Sequence, residues 1–571
     1  MKILGIFGPG PNASSCLLVD NNLIALIEEE RLNRIKTSPH GLPILSAKKC
    51  LEIGKIDINE IDYIAWGWDC IKYKKILNQY NKKLKKNSRN YLSNSHLLKL
   101  YDPKLIEEQL KISFSNELKK KLPKIIFLSH HDCHAASAIF CTEFKESNIL
   151  TIDGSGEDLC TVIYQFKNKK LKRIKEFKLP HTLGGFYATF TEFLGFIPNI
   201  DEGKVMGLAA YGRYSEKIQA KLDKILKIDF KKNDYKINDN MRYVGKHNYG
   251  LKFTDQFVKL FGKKRPKNIS PLNKKFADIA FNVQKRLEDT VLMLARYAYS
   301  KNNIKNFCVA GGVGMNCKMN GEILRSNFIE NLFVQPASAD NGVSLGAALL
   351  LNYKKNKLKR IKLNNLYYGP SYLDSDVKKI LQKKKINFIK HNNIEKYLAK
   401  QIFKKKIVAR FDGRMEFGAR SLGNRSILAN PFFKDIRKYV NLKVKNRENW
   451  RPFCPSILEE DFEKIFLGNY KPKFMTVAIH IKDEFKKILP SCVHEDNTVR
   501  VQVVQKKANP KYWKLLNEFK KLSGYGILIN TSFNVQGEPI VCKPEDALRT
   551  FYSSGIDELS IGNFLIKKNK L

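Results

Sequence analysis

Three of the ten histidines in this 571-residue sequence fall within five positions, in the run Ser129-His130-His131-Asp132-Cys133-His134. A serine followed three residues later by a carboxylate predicts a capping box, and therefore a helix that begins here. His130 and His134 are then four residues apart on one helical face. Two imidazoles in that arrangement can bind one divalent metal ion, although a histidine pair taken alone can equally make local hydrogen bonds at a helix start.

Two aspartates could complete such a site with oxygen ligands. Asp153 ends a predicted strand, and Asp340 lies in a predicted loop between a strand and a helix. Carboxylates at strand ends face the cleft in folds built from strands and helices, although helix capping alone would also explain Asp340. The predicted metal site is therefore His130, His134, Asp153 and Asp340. Its mixed nitrogen and oxygen ligands suit Fe(II), Mn(II) or Zn(II) and do not decide among them.

Two glycine-rich loops are suited to contact a nucleotide. In Asp153-Gly154-Ser155-Gly156, backbone N–H groups can approach phosphate oxygens closely. The run from Ala310 through Gly312 to Asn316 follows a predicted strand and opens a helix, which suits contact with ribose or adenine. A dinucleotide-binding fingerprint is excluded because the glycine spacing differs from it.

Arginine is informative in this sequence because lysine outnumbers it 82 to 20. Only arginine offers a planar fork for bidentate phosphate binding. Structural ion pairs would explain some of the arginines in the densest stretch, and polyphosphate or nucleic acid could explain others, but the surrounding Gly, Asn and Ser residues favour a small anion pocket. Seven of the 20 lie in that stretch: Arg410, Arg414, Arg420, Arg425, Arg437, Arg447 and Arg451.

The strands that must position these residues include a pattern of three predicted strands that occurs twice in the chain. The chain starts with three predicted strands, KILGIFG, SSCLLVD and LIALIEEE, and the pattern returns at 148–176 as ILTIDG, CTVIYQF and KRIKEF. Two such openings predict an internal duplication. A sheet-and-helix unit built twice around a cleft is the architecture of the actin, sugar-kinase and Hsp70 ATPases, in which the phosphates lie between the two hairpin turns. The predicted fold class is therefore α/β, beginning with a duplicated ATPase domain.

The rest of the chain continues to mix strands and helices. A shift in composition to KKNKLKRIKLNN near 353–366 predicts the boundary between a first domain at 1–355 and a second α/β domain at 366–571. The predicted elements are an amphipathic helix at 278–300, a strand at 306–312, a helix from about Asn316, a strand at 332–336, a small-residue helix at 344–351, and later strands KIVARF, MTVAIHI and GILIN.

The formal net charge of +46 comes from 102 basic and 56 acidic residues. Nucleic acid or an anionic surface would be one explanation. The lysines are nevertheless spread along the whole chain together with many Asn and Ile residues, as a composition-biased genome would produce. No basic block is interleaved with aromatic residues as a base-stacking surface requires. We therefore expect no nucleic-acid partner.

Eleven cysteines are scattered without a CxxC pair, which favours free thiols in a reducing compartment. The first residues lack the apolar stretch and small-residue cleavage site of a signal peptide. No run approaches the roughly 20 apolar residues that a membrane-spanning helix needs. These features predict a cytosolic (cytoplasmic) protein without a membrane partner.

Ten ordered motifs together resemble the O-carbamoyltransferase family of nodulation-factor, cephamycin and tobramycin biosynthesis, over nearly the full chain. The resemblance implies a first domain similar to the metal ATPase that forms threonylcarbamoyladenosine in tRNA, and a second with a YrdC-like fold. The motifs are EEERLNRIKT, HHDCHAASAIF, TIDGSGE, GGFYATFTEFLGF, EGKVMGLAAYG, AGGVGMNCKMNG, PASADNGVSLGAAL, EFGARSLGNRSIL, RENWRPFCPSIL and NTSFNVQGEPIV.

Site roles follow from the resemblance motif by motif. It implies the same four metal ligands as the residue types do, with Fe(II) favoured and Mn, Zn or Mg as alternatives. Lys36, Gly312 and Asn316 resemble nucleotide contacts. Four residues resemble the carbamoyl phosphate pocket: Arg420, Arg451, Arg500 and Asn530. Arg420, Arg451 and Lys36 are also expected to act in catalysis.

The implied reaction has two steps. In the second domain, carbamoyl phosphate and ATP give carbamoyl adenylate with loss of phosphate and pyrophosphate, and arginines offset the developing negative charge. In the first domain, a hydroxyl of a small-molecule acceptor, such as a sugar or natural product, attacks the carbamoyl carbon and AMP leaves. Water must be excluded because it competes with the acceptor. The oligomeric state stays open, with a homodimer among the options.

One stretch departs from the family pattern. Many members carry a His-Asp pair after the first strand, facing the acceptor, whereas Pro11-Asn12-Ala13-Ser14 here has no ionisable group. A base would then come from elsewhere, such as Asp201 or Glu202, or a phosphate oxygen would take the proton. The alternative functions are a tRNA threonylcarbamoylation-type enzyme and a non-catalytic nucleotide-sensing scaffold. The zinc-finger and acylphosphatase segments of hydrogenase-maturation carbamoyltransferases are absent from the sequence.

Overall fold

A computed structural model of the protein describes residues 1–82, 89–241, 252–356 and 360–568. The protein is a mixed α/β protein, as the sequence predicts. Its contacts divide it into two compact units. The first comprises Met1–Leu23, His40–Ala47 and Gly54–Lys362, and the second comprises Ile24–Pro39, Lys48–Ile53 and Leu363–Leu571. The composition shift at 353–366 includes residues 357–359, which lie outside the described residues.

Strands and helices are interspersed up to residue 354. The strands are β1 Lys2–Phe7, β2 Ser14–Val19, β3 Asn22–Glu28, β4 Tyr63–Trp66, β5 Lys124–Phe127, β6 Ser147–Gly156, β7 Leu159–Lys167, β8 Lys170–Lys178, β9 Leu226–Asp229, β10 Asp234–Ile237, β11 Asn306–Ala310 and β12 Asn331–Val334. The helices are α1 Glu29–Asn33, α2 Ile44–Gly54, α3 Cys70–Asn81, α4 Arg89–Leu100, α5 Pro103–Ser113, α6 His130–Ile139, α7 Leu183–Phe193, α8 Glu202–Leu208, α9 Glu216–Asp223, α10 Asp255–Phe261, α11 Lys274–Ser300, α12 Cys317–Arg325 and α13 Val343–Lys354.

The remaining elements belong to the second unit. Its strands are β13 Ile389–Lys390, β14 Val408–Phe411, β15 Arg425–Ala429, β16 Cys454–Leu458, β17 Ala478–His480, β18 Thr498–Arg500, β19 Gln502–Val504, β20 Ile527–Ser532, β21 Glu558–Ile561 and β22 Phe564–Lys567. Its helices are α14 Asp374–Lys383, α15 Ile394–Phe403, α16 Lys434–Tyr439, α17 Phe462–Ile465, α18 Asp483–Lys486, α19 Pro510–Ser523 and α20 Pro544–Tyr552.

The predicted duplication is visible in the topology of the first unit. In one sheet, β1 pairs antiparallel with β2 and parallel with β4, which pairs parallel with β5; β3 begins beyond β2 and continues into the second unit. In the other sheet, β6 pairs antiparallel with β7 and parallel with β11, which pairs parallel with β12; β8 lies beyond β7. Each opening hairpin therefore occupies the same place in its own sheet, so its turn lies at an equivalent sheet edge.

Helices α6 and α13 pack tightly within the first unit. Helix α6 carries His130 and His134, and Asp340 lies just before α13. The sequence of α13, VSLGAALLLNYK, is rich in small residues, and its residues Val343–Asn352 are buried. A Cβ atom added at Gly346 would overlap the carbonyl of Cys133 in α6. The glycine therefore allows the two helix backbones to approach each other closely.

The second unit is built around a mixed eight-stranded sheet with the order β13-β22-β21-β14-β15-β20-β16-β19. Helices α15 and α19 pack over it with a core that includes Leu398, Leu428, Leu515 and Leu528. Strands β17 and β18 form a separate antiparallel pair. The arginine-rich stretch from 410 to 451 runs through β14, β15 and α16 and ends just before β16.

We predict that Gly346→Ala lowers the free energy of unfolding by about 1–3 kcal/mol, because helices α6 and α13 must separate to admit the methyl group. Gly203→Ala in helix α8 is the matched control, because no heavy atom lies within 4 Å of its added Cβ. Denaturant unfolding of both variants measures the difference. Equal stabilities for the two variants would contradict this close helix packing.

Candidate functional site

Four side chains of the first unit converge on one point. Nε2 of His130 lies 3.0 Å from Oδ2 of Asp153, and Nε2 of His134 lies 3.2 Å from the same oxygen. The two Nε2 atoms are 3.1 Å apart, and each lies 3.5 Å from Oδ1 of Asp340. All four ligand atoms lie within 4.8 Å of one another. The structure thus brings together the complete set that the sequence predicts as metal ligands.

Helix α6 holds the two histidines in place. The N–H of His130 donates to Oε1 of Glu157 at 3.1 Å, and the N–H of Asp69, which precedes α3, donates to the same oxygen at 2.8 Å. Nδ1 of His130 lies 3.3 Å from the carbonyl oxygen of Gly67. With its proton on Nδ1 donated there, Nε2 keeps its lone pair for a ligand.

The predicted capping box at Ser129 and Asp132 is wrong. Ser129 is the N-cap of α6, but its side chain makes no capping hydrogen bond. Instead, Arg173 donates to the hydroxyl of Ser129 at 2.8 Å and also to the carboxylate of Asp132. Because Arg173 engages both side chains, the carboxylate of Glu157 supplies the acceptor at the helix start. The local pattern identified the helix start correctly but assigned the wrong partner.

We call the four predicted metal ligands, His130, His134, Asp153 and Asp340, the metal-ligand group. The carboxylate of Asp153 connects this group to both predicted glycine loops. While Oδ2 faces the two imidazoles, Oδ1 accepts hydrogen bonds from the N–H of Gly154 at 2.7 Å and of Gly312 at 3.3 Å. Asp153-Gly154-Ser155-Gly156, predicted as a loop, is the irregular last part of β6. No heavy atom lies within 4 Å of a Cβ added at Gly154, so this position faces open space among the described residues. Two predicted nucleotide-contact glycines therefore lie beside the predicted metal ligands.

The electrostatics of this group suit a bound cation. Burial disfavours the charged form of His130, but hydrogen bonds to Asp153 and Asp340 outweigh burial and raise its pKa to about 10. Burial would raise the pKa of Asp153, but the two histidines hold it well below its usual range. Nδ1 of His134 is buried and has no hydrogen-bond partner within the described part of the chain. Two imidazole nitrogens and two carboxylate oxygens at these distances fit a divalent ion.

Asn316 lies in a buried polar network of the first unit. Its amide exchanges two hydrogen bonds with Gln284, at 2.8 and 3.0 Å, and caps helix α12 through the N–H of Met319. Gln284 also accepts from the hydroxyl of Tyr187 and donates to Glu288. Burial raises the pKa of Glu288 to about 7. Glu288 was not identified from the sequence, because an acidic residue in an amphipathic helix usually faces solvent.

The two candidate bases have local partners at the start of α8. Asp201 accepts from the N–H of Ile197 and pairs with Lys204 at 3.2 Å. Glu202 accepts from the N–H of Asn199, and burial raises its pKa to about 7. Neither carboxylate belongs to the metal-ligand group. The role of Asp201 as a base stays a prediction.

The second unit contains a cluster of cations, which we call the cation cluster: Lys36, Lys445, Arg447, Arg451 and Arg500. Burial and the charges of Arg447, Arg451 and Lys36 hold the pKa of Lys445 well below its usual range. Burial and the charge of Arg451 lower the pKa of Arg447 to about 9, with Arg500 contributing further. Two carboxylates lie close by, Glu448 at 3.6 Å from Arg451 and Glu30 at 3.6 Å from Lys36. Such a concentration of positive charge suits an anionic ligand.

Lys445 is fixed within this cluster by neutral oxygen atoms. Its Nζ donates to the carbonyls of Ser532 and Asn534, each at 2.8 Å, and to Oδ1 of Asn534 at 2.6 Å. Lys445 was not identified from the sequence, because one lysine among 82 carries no signal by itself. Its position two residues before Arg447 in the arginine-rich stretch was the available signal. Lys36 belongs to this second unit, whereas Gly312 and Asn316 belong to the first.

Asn530 occupies a buried polar network. Its Nδ2 donates to the hydroxyl of Ser456 at 2.9 Å and to Gln502 at 3.0 Å, and its Oδ1 accepts from Ser421 at 3.1 Å. Ser421 directly follows Arg420, which is partly buried. The network therefore links Asn530 to the loop that carries Arg420. The assignment of both residues to a carbamoyl phosphate pocket stays a prediction.

Three other arginines of the 410–451 stretch contact groups of the protein itself. This agrees with the prediction that structural interactions explain some of the arginines there. Arg425 is fully buried and donates to backbone carbonyls, including that of Asp412 at 2.7 Å. Arg410 pairs with Asp412 at 2.6 Å. Arg414 donates to the carbonyls of Gly369 and Ile24.

Comparison with known proteins supplies the family. The protein-family model for the carbamoyltransferase N-terminus matches residues 2–349. The protein-family model for the carbamoyltransferase C-terminus matches residues 399–568. The chain belongs to the carbamoyltransferase family. The predicted enzyme class and the predicted family resemblance are thereby confirmed.

Two relatives and one solved structure illustrate the range of similarity. Nodulation protein NolNO of Sinorhizobium fredii is 35% identical over 98% of this chain and 79% of its own length. The 3'-hydroxymethylcephem-O-carbamoyltransferase of Amycolatopsis lactamdurans is 29% identical over 45% of this chain and 47% of its own. The structure of T. kodakarensis HypF aligns with a TM-score of 0.33 at 14% identity, over 63% of this chain and 49% of that one.

Among the described residues, no helix has the length and apolar composition needed to cross a membrane. The predicted cytosolic location, the expected absence of a nucleic-acid partner and the oligomeric state stay predictions.

We predict that the purified enzyme, stripped with a chelator, binds one Mn²⁺ per chain and that His134→Ala weakens this affinity by at least about 100-fold, because it removes one of four ligands. His40→Ala is the control, because His40 is exposed. Calorimetric titration measures both affinities. Undiminished affinity in His134→Ala would show that the four residues are not a metal site.

We also predict a pH-dependent contribution of Glu288 to stability. Its pKa is raised from 4.5 to about 7, so its stabilising contribution is complete below pH 4.5 and is lost as the pH rises through 7, by roughly 3 kcal/mol. Glu288→Gln removes this loss, so its unfolding temperature should fall less between pH 5 and pH 8 than that of the wild type. Glu330→Gln, at a side chain 63% exposed, should follow the wild type. Parallel pH profiles for all three proteins would refute the prediction.

Proposed function

We propose that the enzyme transfers a carbamoyl group from carbamoyl phosphate to a hydroxyl of a small-molecule acceptor, with a carbamoyl adenylate as the intermediate. The observation that carries this proposal is the cation cluster of the second unit, in which Lys445 is buried and the pKa values of Lys445 and Arg447 are lowered by burial and by neighbouring cations. A small, strongly anionic ligand would offset this charge. Carbamoyl phosphate is the anion that membership of the carbamoyltransferase family indicates.

The first step would take place in the second unit. Carbamoyl phosphate and one water give carbamate and phosphate; carbamate then attacks the α-phosphorus of ATP, an O–P bond forms, and pyrophosphate leaves with the electrons of the broken P–O bond. Arg447, Arg451 and Arg500 would bind the phosphate oxygens, with Arg420 at the neighbouring loop. Lys445 is held at 2.6 Å from Asn534, so its ammonium group is already oriented before any ligand binds. Cations fixed in advance stabilise developing negative charge without reorganisation.

The second step would take place in the first unit. The acceptor oxygen forms a bond to the carbamoyl carbon, the bond to the phosphate oxygen breaks, AMP leaves with that electron pair, and the acceptor proton is released. Gly154 and Gly312 would orient the AMP phosphate through the loops that Asp153 joins. His130, His134, Asp153 and Asp340 would hold a divalent ion, with Fe(II) favoured, and this ion would supply Lewis-acid polarisation.

Two further observations support the proposal. The name of the Amycolatopsis relative describes transfer to an oxygen of a hydroxymethyl group, which supports a hydroxyl acceptor of the sugar or natural-product class. The matching topology of the two sheets in the first unit supports an actin-like duplicated ATPase fold for that unit. The YrdC-like fold of the second unit is proposed on its motifs around Arg420 and Asn530.

We predict that pyrophosphate release from ATP requires carbamoyl phosphate and that Arg451→Ala lowers its rate by at least about 100-fold, because one phosphate-binding cation is lost. Arg549→Ala is the matched control in the same unit, since its side chain is 56% exposed and lies outside the cation cluster. Both variants are assayed as full chains with Mn²⁺ and, separately, Fe(II). Pyrophosphate release that is equal with and without carbamoyl phosphate would overturn the adenylate mechanism.

A further inference from the structure

An aromatic group lies directly beside the metal-ligand residues of the first unit. Trp68 follows the end of β4, and its ring centroid lies 4.8 Å from that of His130. Tyr101 stacks on Trp68, with ring centroids 4.8 Å apart and an angle of 28° between the rings. Tyr73 packs edge-on against both, at 5.3 and 5.4 Å. Trp68 therefore contacts both the imidazole of His130 and the phenol of Tyr101.

The body of Tyr101 is buried, but its hydroxyl is not engaged by the protein. The residue is 8% exposed, and the described part of the chain offers its hydroxyl no hydrogen-bond partner. A phenol hydroxyl in a largely buried position normally finds a partner. The ring is held by two aromatic neighbours, Trp68 and Tyr73, so the position of the hydroxyl oxygen is fixed. An oxygen fixed in this way is suited to bind a group of a ligand.

The direction of the hydroxyl shows where such a ligand would lie. It is 3.4 Å from the point at which Gly10 would carry a Cβ atom, so it faces the turn between β1 and β2. Gly10 has a φ of +144°, a conformation that favours glycine. The negative charge of Asp340 also acts on Tyr101, which places the phenol near the carboxylate edge of the metal-ligand group. The hydroxyl therefore lies beside that turn, and the phenol lies near Asp340 of the predicted metal site.

The turn itself offers no titratable side chain. Residues 8–14 read Gly-Pro-Gly-Pro-Asn-Ala-Ser, and the hydroxyl of Ser14 is already engaged with Asn341 and Ser344 inside the protein. Burial, with the nearby Tyr73 and Asp340, holds the pKa of Tyr101 well above its usual range. The phenol thus stays neutral and can both donate and accept a hydrogen bond.

We propose that Tyr101 is an acceptor-binding residue, whose hydroxyl forms a hydrogen bond with the attacking hydroxyl of a neutral alcohol and orients it toward the carbamoyl carbon. This inference rests on the proposed function. Tyr101 orients the nucleophile and does not take its proton. Water, which is also a hydroxyl nucleophile, binds at the same position when no alcohol is present.

The test separates the two steps in a single turnover. Full-length enzyme is loaded with Mn²⁺ and used in molar excess over ATP. It is mixed with ATP and carbamoyl phosphate, in one reaction without an alcohol and in another with 1 M glycerol as the probe. Pyrophosphate release reports adenylate formation, and AMP release reports its consumption. We expect Tyr101→Phe to keep the aromatic stack, the Mn²⁺ affinity and the rate of pyrophosphate release, but to slow AMP release about 10-fold, as the loss of one hydrogen bond implies.

Tyr73→Phe is the matched control, because it removes a hydroxyl from the same aromatic group on another ring. It should release AMP at the wild-type rate. Wild-type AMP release in Tyr101→Phe, or an equal slowing in both variants, would overturn the role of Tyr101. A parallel loss of pyrophosphate release and AMP release in Tyr101→Phe would overturn it as well, because the effect would precede the acceptor step. If the wild type releases no pyrophosphate in response to carbamoyl phosphate, the proposed function fails, and the inference fails with it.

Discussion

The carboxylate of Asp153 is the interaction on which the first unit's site depends, because its two oxygens serve two different partners. One oxygen faces the imidazoles of His130 and His134, and the other accepts the N–H groups of Gly154 and Gly312. A buried carboxylate is costly unless its oxygens are paired, and here all its partners come from the site itself. A shift of either glycine loop would therefore disturb the histidines, and a shift of α6 would disturb both loops.

The candidate sites of the two units have opposite local imbalances of charge. In the first unit, carboxylates raise the pKa of His130 to about 10, so the group attracts positive charge. In the second unit, neighbouring cations and burial lower the pKa of Arg447 to about 9, so the cluster attracts negative charge. The proposed reaction first activates an anion and then transfers an acyl group beside a metal ion, so it would use both environments.

Spacing and repetition made part of this arrangement predictable from the sequence. Histidines four residues apart in a helix must share a face, and two hairpins of matching pattern gave two sheets of matching topology. Other residues depend on distant contacts that no local pattern records. Glu157 contacts the start of α6 because β6 ends beside it, and Arg425 is structural because it lies among backbone carbonyls. Lys445 resembles every other lysine until its burial is known.

The duplication also shows how the two hairpin turns differ in chemistry. The last part of β6 carries Asp153, a member of the metal-ligand group, whereas the equivalent position at the end of β1 carries Phe7, which a run of glycine and proline follows. Phe7 lies 5.5 Å from the ring of His130, so this side of the site is apolar. The turn after β1 has no charged side chain. It therefore cannot select a ligand by charge and cannot compete with the predicted metal ligands for a cation. Recognition on that side must then depend on shape and on uncharged hydrogen-bonding groups, of which the hydroxyl of Tyr101 lies within reach of the turn.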